Sequence, residues 1–251
     1  MTQRPLVVIL AGAIAFAAGC GSSAGGPNSS NGVQLKSGTE IVAAAVKATK
    51  EESSFHFEET ATSGSQGVSV VADVGAAGGE QQITVRQGSD VGKVTVLLTG
   101  GTAYFEGDAS GLEGLTGMSA KVAGEVAGKW ISVPSTNSSF SALAGSLAVK
   151  TAAGQLVQLT GTLTTGKTST KLGHPAVAVK ATEKTKTASL ALTMYVRTTG
   201  AALPISVEGS TQESGSAAHQ ISARFSDWGE ALHLTAPTGA LPIASVQALA
   251  S

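Results

Sequence analysis

The chain of 251 residues has one cysteine, Cys20. No internal disulfide is therefore possible, and the fold must rest on its apolar core and its hydrogen bonds. Charged residues make up 13% of the chain and nearly cancel, leaving a formal net charge of -1. So balanced a surface offers no basic stripe to nucleic acid, nor one to hold the body of the protein on anionic lipid. Aromatic residues are scarce at 4%, so the bulk that usually fills a core is in short supply. The longest apolar run, residues 6–16, is too short to span a bilayer as a helix. The four histidines, His56, His174, His219 and His233, fall in separate segments without metal-ligand spacing, so neither a metal nor another cofactor is expected.

What is present begins with a leader. Arg4 supplies a positive start, residues 6–16 the apolar run, and Ala17, Ala18 and Gly19 the small residues a signal peptidase needs. With Cys20 directly after them, the segment resembles a lipobox, although Ala17 stands where that pattern usually has Leu. The expectation is a signal peptide over residues 1–19, removed to leave Cys20 carrying diacylglycerol and a further acyl chain such as palmitate. Two or three chains, at about 0.8 kcal/mol per buried methylene, anchor a protein stably to a membrane. Residues 21–38 are mostly Gly, Ser, Asn and Pro. Together with Cys20 they read as a flexible tether (20–38) of roughly 25 Å root-mean-square reach, ahead of one domain over 39–251.

A first helix is predicted by Ile41, Val42, Ala45 and Val46 on one face, with Thr39 as its N-cap. The period then changes to two. Phe55 and Phe57 alternate with His56 and Glu58. The same pattern runs through Val68, Val70, Ala72 and Val74, through Ile83 and Val85, and through Val94, Val96 and Leu98. It returns in Val177, Val179 and Ala181, in Leu190, Leu192, Met194 and Val196, in Leu203, Ile205 and Val207, and in Ile221, Ala223 and Phe225. Between these halves, residues 119–126 and 140–159 carry helical spacing around a short strand, Trp130 to Val133, closed by Pro134. The fold class is α+β: a curved antiparallel sheet of eight to ten strands, a half-barrel with a few helices across its concave face.

Such a sheet must cover one apolar face, and Ala-rich helices fill little volume. If the face curls, its interior has room for acyl chains, and alternation names Val70, Ala72, Val94, Val96, Leu98, Leu190, Leu192, Met194 and Ile205 as cavity-lining candidates. The same residues would equally pack a dry core at normal density.

The order helix, meander, helices, meander is accompanied by Gly128-Lys129-Trp130-Ile131-Ser132-Val133, by Tyr195-Val196 with Leu203-Pro204-Ile205, and by Phe225-Ser226-Asp227-Trp228-Gly229. In these features residues 39–237 resemble the actinobacterial lipoproteins LppX, LprA, LprF and LprG, with the LolA/LolB-type carriers as fold relatives. The resemblance implies a half-barrel whose hydrophobic cavity binds lipids or glycolipids and helps move them through the cell envelope. It implies no catalytic motif and no individual ligand residue.

Other motifs weigh less. Residues 161–168, GTLTTGKT, match the phosphate-loop pattern, but Gly173 and Pro175 leave no room for the helix that must follow. Gly21-Ser22-Ser23-Ala24-Gly25 matches a nucleophile elbow but lies in the tether. Glu51, Glu52, Glu58 and Glu59, at the end of the first helix and on the polar phase of the next strand, read as a solvated face rather than as paired catalytic carboxylates. Trp228 reads as a structural anchor, with Trp130 open between that role and a ligand platform.

The expectation is a non-enzymatic, monomeric lipid carrier held through Cys20 at the extracytoplasmic face of the cell membrane, with a membrane transporter as a possible partner. The alternative is an interaction or sensor module displayed at that face.

Overall fold

A computed structural model describes residues 29–156 and 159–249. The leader, Cys20 and the start of the tether lie outside the described residues. Among the described residues twelve strands form one sheet. The first meander runs β1 (Ser54–Ser63), β2 (Gln66–Gly75), β3 (Gly79–Gln87), β4 (Asp90–Thr99) and β5 (Thr102–Gly107), followed by β6 (Ile131–Pro134). The second runs β7 (Thr162–Lys171), β8 (His174–Lys184), β9 (Ala188–Arg197), β10 (Pro204–Glu213) and β11 (His219–Ser226). They join where β1 pairs with β11, in the register Phe57 opposite Phe225, giving the order β12-β6-β5-β4-β3-β2-β1-β11-β10-β9-β8-β7. The sheet is large, open and curved, an α+β half-barrel. It is mixed rather than wholly antiparallel, because the two-residue β12 (Leu241–Pro242) pairs with β6 in parallel. Twelve strands exceed the expected eight to ten; β7, rich in Thr, has too little apolar alternation to read as a strand.

The inner face is the one the helices cover. Helix α1 (Gly38–Glu51) buries Ile41, Val42 and Ala45 as its spacing predicts. Its N-cap is Ser37, not Thr39: the Ser37 hydroxyl accepts from the Glu40 amide while the Glu40 carboxylate accepts from the Ser37 amide at 3.0 Å. That reciprocal pairing satisfies two donors that a Thr39 start would orphan. Helix α2 (Ala109–Thr116) carries too few apolar residues to be legible, yet Asp108 caps it through the Gly111 amide at 2.7 Å. Its backbone lies directly on β4: a Cβ built on Gly92 would sit 2.5 Å from the Gly111 nitrogen, so both positions need glycine for the approach. Helix α3 (Ala120–Val126) follows the predicted spacing, whereas the one helix expected over 140–159 is two, α4 (Phe140–Ala144) and α5 (Val149–Leu156), with Leu147 buried between them; α6 (Ile243–Leu249) is the last described element.

Composition extends the flexible tether to residue 38, and the structure shortens it. The Asn31 side chain donates to the carbonyls of Arg197 and Gly200 at 3.0 and 3.2 Å, and Val33 is buried in a 3-10 turn. The Lys36 carbonyl accepts from the Thr165 hydroxyl. From Ser30 onward the chain is therefore strapped to β7 and to the loop after β9.

The covered face carries two separate apolar clusters. One gathers α1, α5 and strands β1, β2 and β8 to β11 around Phe55, Phe57, Met194 and Phe225; the other gathers β4 to β6 with α2 to α4 and α6 around Leu98, Phe105, Ile131 and Leu147. Trp228 stacks beside Phe55 and Phe225, with ring centroids 5.2 and 6.2 Å apart, and pins the turn after β11 to the first cluster. Burying an aromatic ring such as Phe55, 1% exposed, contributes about 2 to 3 kcal/mol.

Candidate binding face

Strand register sorts the inner face into rows that cross the seam. The upper row runs Phe105, Val96, Gln81, Ala72, Phe57 and Phe225, and every member is buried. Gln81 is the polar exception, accepting a hydrogen bond from the Ser146 hydroxyl at 3.1 Å.

The middle row runs Val94, Ile83, Val70, Glu59, Ala223, Val207, Met194 and Val179. Seven of its eight members are apolar. Glu59 therefore lies on the apolar phase of β1, with Phe55 and Phe57, and not on the solvated face assigned to it from sequence. Two consecutive glutamates cannot both point outward on a strand of period two. Glu58 takes the outer face, and Glu59 goes in, half-buried. Burial alone pushes the Glu59 carboxyl above the ordinary carboxylate range. No hydrogen bond or ion pair to it occurs among the described residues.

The lower row runs Val85, Val68, Ala61, Ile221, Gly209, Leu192, Ala181 and Leu163. It is as apolar as the rows above, but the helices leave it partly uncovered. Val68 is 38% exposed, and Ala61, Val85, Ile221, Leu192 and Leu163 are half-buried. Below it the row turns polar, with Ser63, Gln66, Gln87 and Asp90.

The nine cavity-lining candidates divide along this gradient. Ala72, Val94, Val96, Leu98, Met194 and Ile205 are sealed, none more than 7% exposed. Ile205 sits at the bulge between Pro204 and Ser206 and joins neither cluster. Val70, Leu190 and Leu192 are half-buried and border the uncovered row. Two open clefts lie at the rim. One, of about 620 Å³, runs by the β8–β9 hairpin and includes Leu190; the other, of about 460 Å³, lies between Gly75, Gly100 and Leu232. Of the nine candidates only Leu190 lines either cleft.

On the outer face, His56 Nδ1 lies 2.7 Å from Asp73 Oδ1, and Nε2 lies 3.6 Å from Glu58 Oε1. Burial pulls the imidazole down, but the hydrogen bond and charge of Asp73, with Glu58 and Asp227 behind it, outweigh burial and hold His56 above its ordinary value. Among the described residues no group of three or more His, Cys, Asp and Glu gathers as a metal site. The phosphate-loop look-alike lies on β7, an edge strand, with β8 after it and no helix N-terminus to face a phosphate.

Solved structures of similar architecture include LprF from Mycobacterium bovis, at 16% identity over 80% of this chain and 97% of that one, with a TM-score of 0.49. They also include the Mycobacterium tuberculosis lipoprotein LppX, at 15% identity over 82% of this chain and 100% of that one, with a TM-score of 0.46. In fold, the chain is similar to LprF and LppX. No protein-family model matches the chain, and no curated protein does.

Proposed function

We propose that this protein is a lipid-binding lipoprotein, tethered through Cys20 to the extracytoplasmic face of the cell membrane, that takes acyl chains of an envelope lipid or glycolipid against its inner face and assists their transport. The observation that carries the proposal is the lower row: an apolar stripe across the seam that the protein's own helices leave partly uncovered, with Val68 38% exposed toward one end and Ala181 sealed toward the other. An apolar stripe rimmed by polar residues is what a hydrocarbon ligand needs, since burying it removes chain and protein surface from water together. Binding of this kind uses desolvation and requires no covalent chemistry. No helix among the described residues is long and apolar enough to cross a membrane, so in this reading the lipids on Cys20 supply the attachment.

One observation favours a second reading. The burial of the six sealed candidates supports an interior filled by its own side chains, as in an interaction or sensor module. Mass spectrometry of organic extracts of the purified protein separates the two. The carrier predicts co-purified lipid near one mole per mole beyond the covalent anchor, and the module predicts none.

A further inference from the structure

Glu59 breaks the middle row at the sheet's seam. It is flanked across the strands by Val70 and Ala223, with Phe57 above it and Ala61 below it on its own strand. Glu59 is half-buried, so part of its surface stays open, and its neighbours toward the lower row, Ala61 on its own strand and Gly209 in the row beneath, are small. No cation lies within ion-pair distance of it among the described residues, and no donor is bonded to it. An unpaired carboxyl on an apolar surface is costly to the fold, and residues kept at such a cost belong to binding sites more often than to scaffolds.

Building on the lipid-binding reading, we infer that Glu59 is the polar contact of the bound lipid and that it selects a lipid bearing a free hydroxyl next to its acyl chains. A hydroxyl matches a carboxyl in either protonation state, donating to the carboxylate and accepting from the acid. An ester oxygen only accepts and matches the acid alone; an ammonium matches the ionised form alone, which the apolar surround disfavours; a phosphate accepts from the acid alone and is repelled by the ionised form. With chains along Val68, Ala61, Ile221 and Leu192, the hydroxyl meets Glu59 from below.

The test compares 1,2-dioleoylglycerol with 1,2-dioleoyl-3-acetylglycerol, which differ by masking that hydroxyl. The delipidated full-length protein is loaded with each in turn, and bound lipid is counted by mass spectrometry after size exclusion. Wild type is expected to prefer the free hydroxyl by about tenfold, the value of one buried hydrogen bond. Glu59→Leu should lose the preference while still binding the acetylated lipid, and Glu59→Gln, which keeps hydrogen-bonding capacity, should retain most of it. Equal binding of both lipids by wild type overturns the role of Glu59 and leaves lipid binding standing. Binding of neither overturns the lipid-binding reading, and this inference with it.

Discussion

Glu59 on β1 lies directly opposite Ala223 on β11, in the pairing that joins the two meanders into one sheet. A carboxyl is thus set where the two halves of the inner face meet, and the consequence for stability has a definite sign. A carboxyl held above its ordinary value in the folded state stabilises fully only below the unfolded value. That stability is lost as pH rises through the folded one. Glu59→Leu should therefore raise the melting temperature at neutral pH, by a stability gain of about 1 kcal/mol for removing an unpaired, half-buried polar group. Thermal melts from pH 4 to pH 8 check this. The gain over wild type should grow with pH, and a destabilised variant at pH 7 would contradict it.

His56 has the opposite chemistry and a related sign. Its imidazolium is held by Asp73, so the stabilisation is present below the unfolded value and is lost as pH rises through the raised folded value. An NMR titration should give His56 a midpoint above the ordinary 6.5, and Asp73→Asn should move that midpoint down.

The helix start makes a local prediction. Ser37→Ala removes the cap of α1 and should cost about 1 kcal/mol in chemical denaturation. Thr39→Ala should cost distinctly less, because Thr39 lies inside the helix.

Legibility followed the physics of each element. Helix α1 and most strands show in their spacing, because each has one buried and one wet face. Helix α2 has only Leu112 and Leu115 for a core stripe and is held by Asp108 and by its backbone approach to β4, neither of which has a periodic signature. The strap from Ser30 reads as linker because its docking runs largely through backbone carbonyls. Glu59 departs from its residue type: Glu58 obeys the alternation, whereas the parity of Phe55 and Phe57 puts Glu59 on the inner face, where a carboxyl is not expected. The uncovered row was legible only in part: alternation names Leu190 and Leu192, but which end of a strand the helices leave open depends on tertiary packing.

The two leucines that alternation treats alike should part company. Leu98, 7% exposed, packs in the cluster beneath α2 to α4, so Leu98→Glu buries an unpaired charge and should abolish cooperative folding. Leu192 is half-buried on the open row, so Leu192→Glu should keep a native circular-dichroism spectrum while losing bound lipid.

The central claim is that acyl chains lie on the uncovered lower row. A palmitoyl probe with a photoreactive diazirine on its chain, bound to the full-length protein and cross-linked, reports this directly by peptide mapping. The account predicts adducts on β1, β2, β9 and β11 at Ala61, Val68, Leu192 and Ile221, competed away by unlabelled lipid. Adducts scattered over the outer face, or none that unlabelled lipid competes, would contradict it.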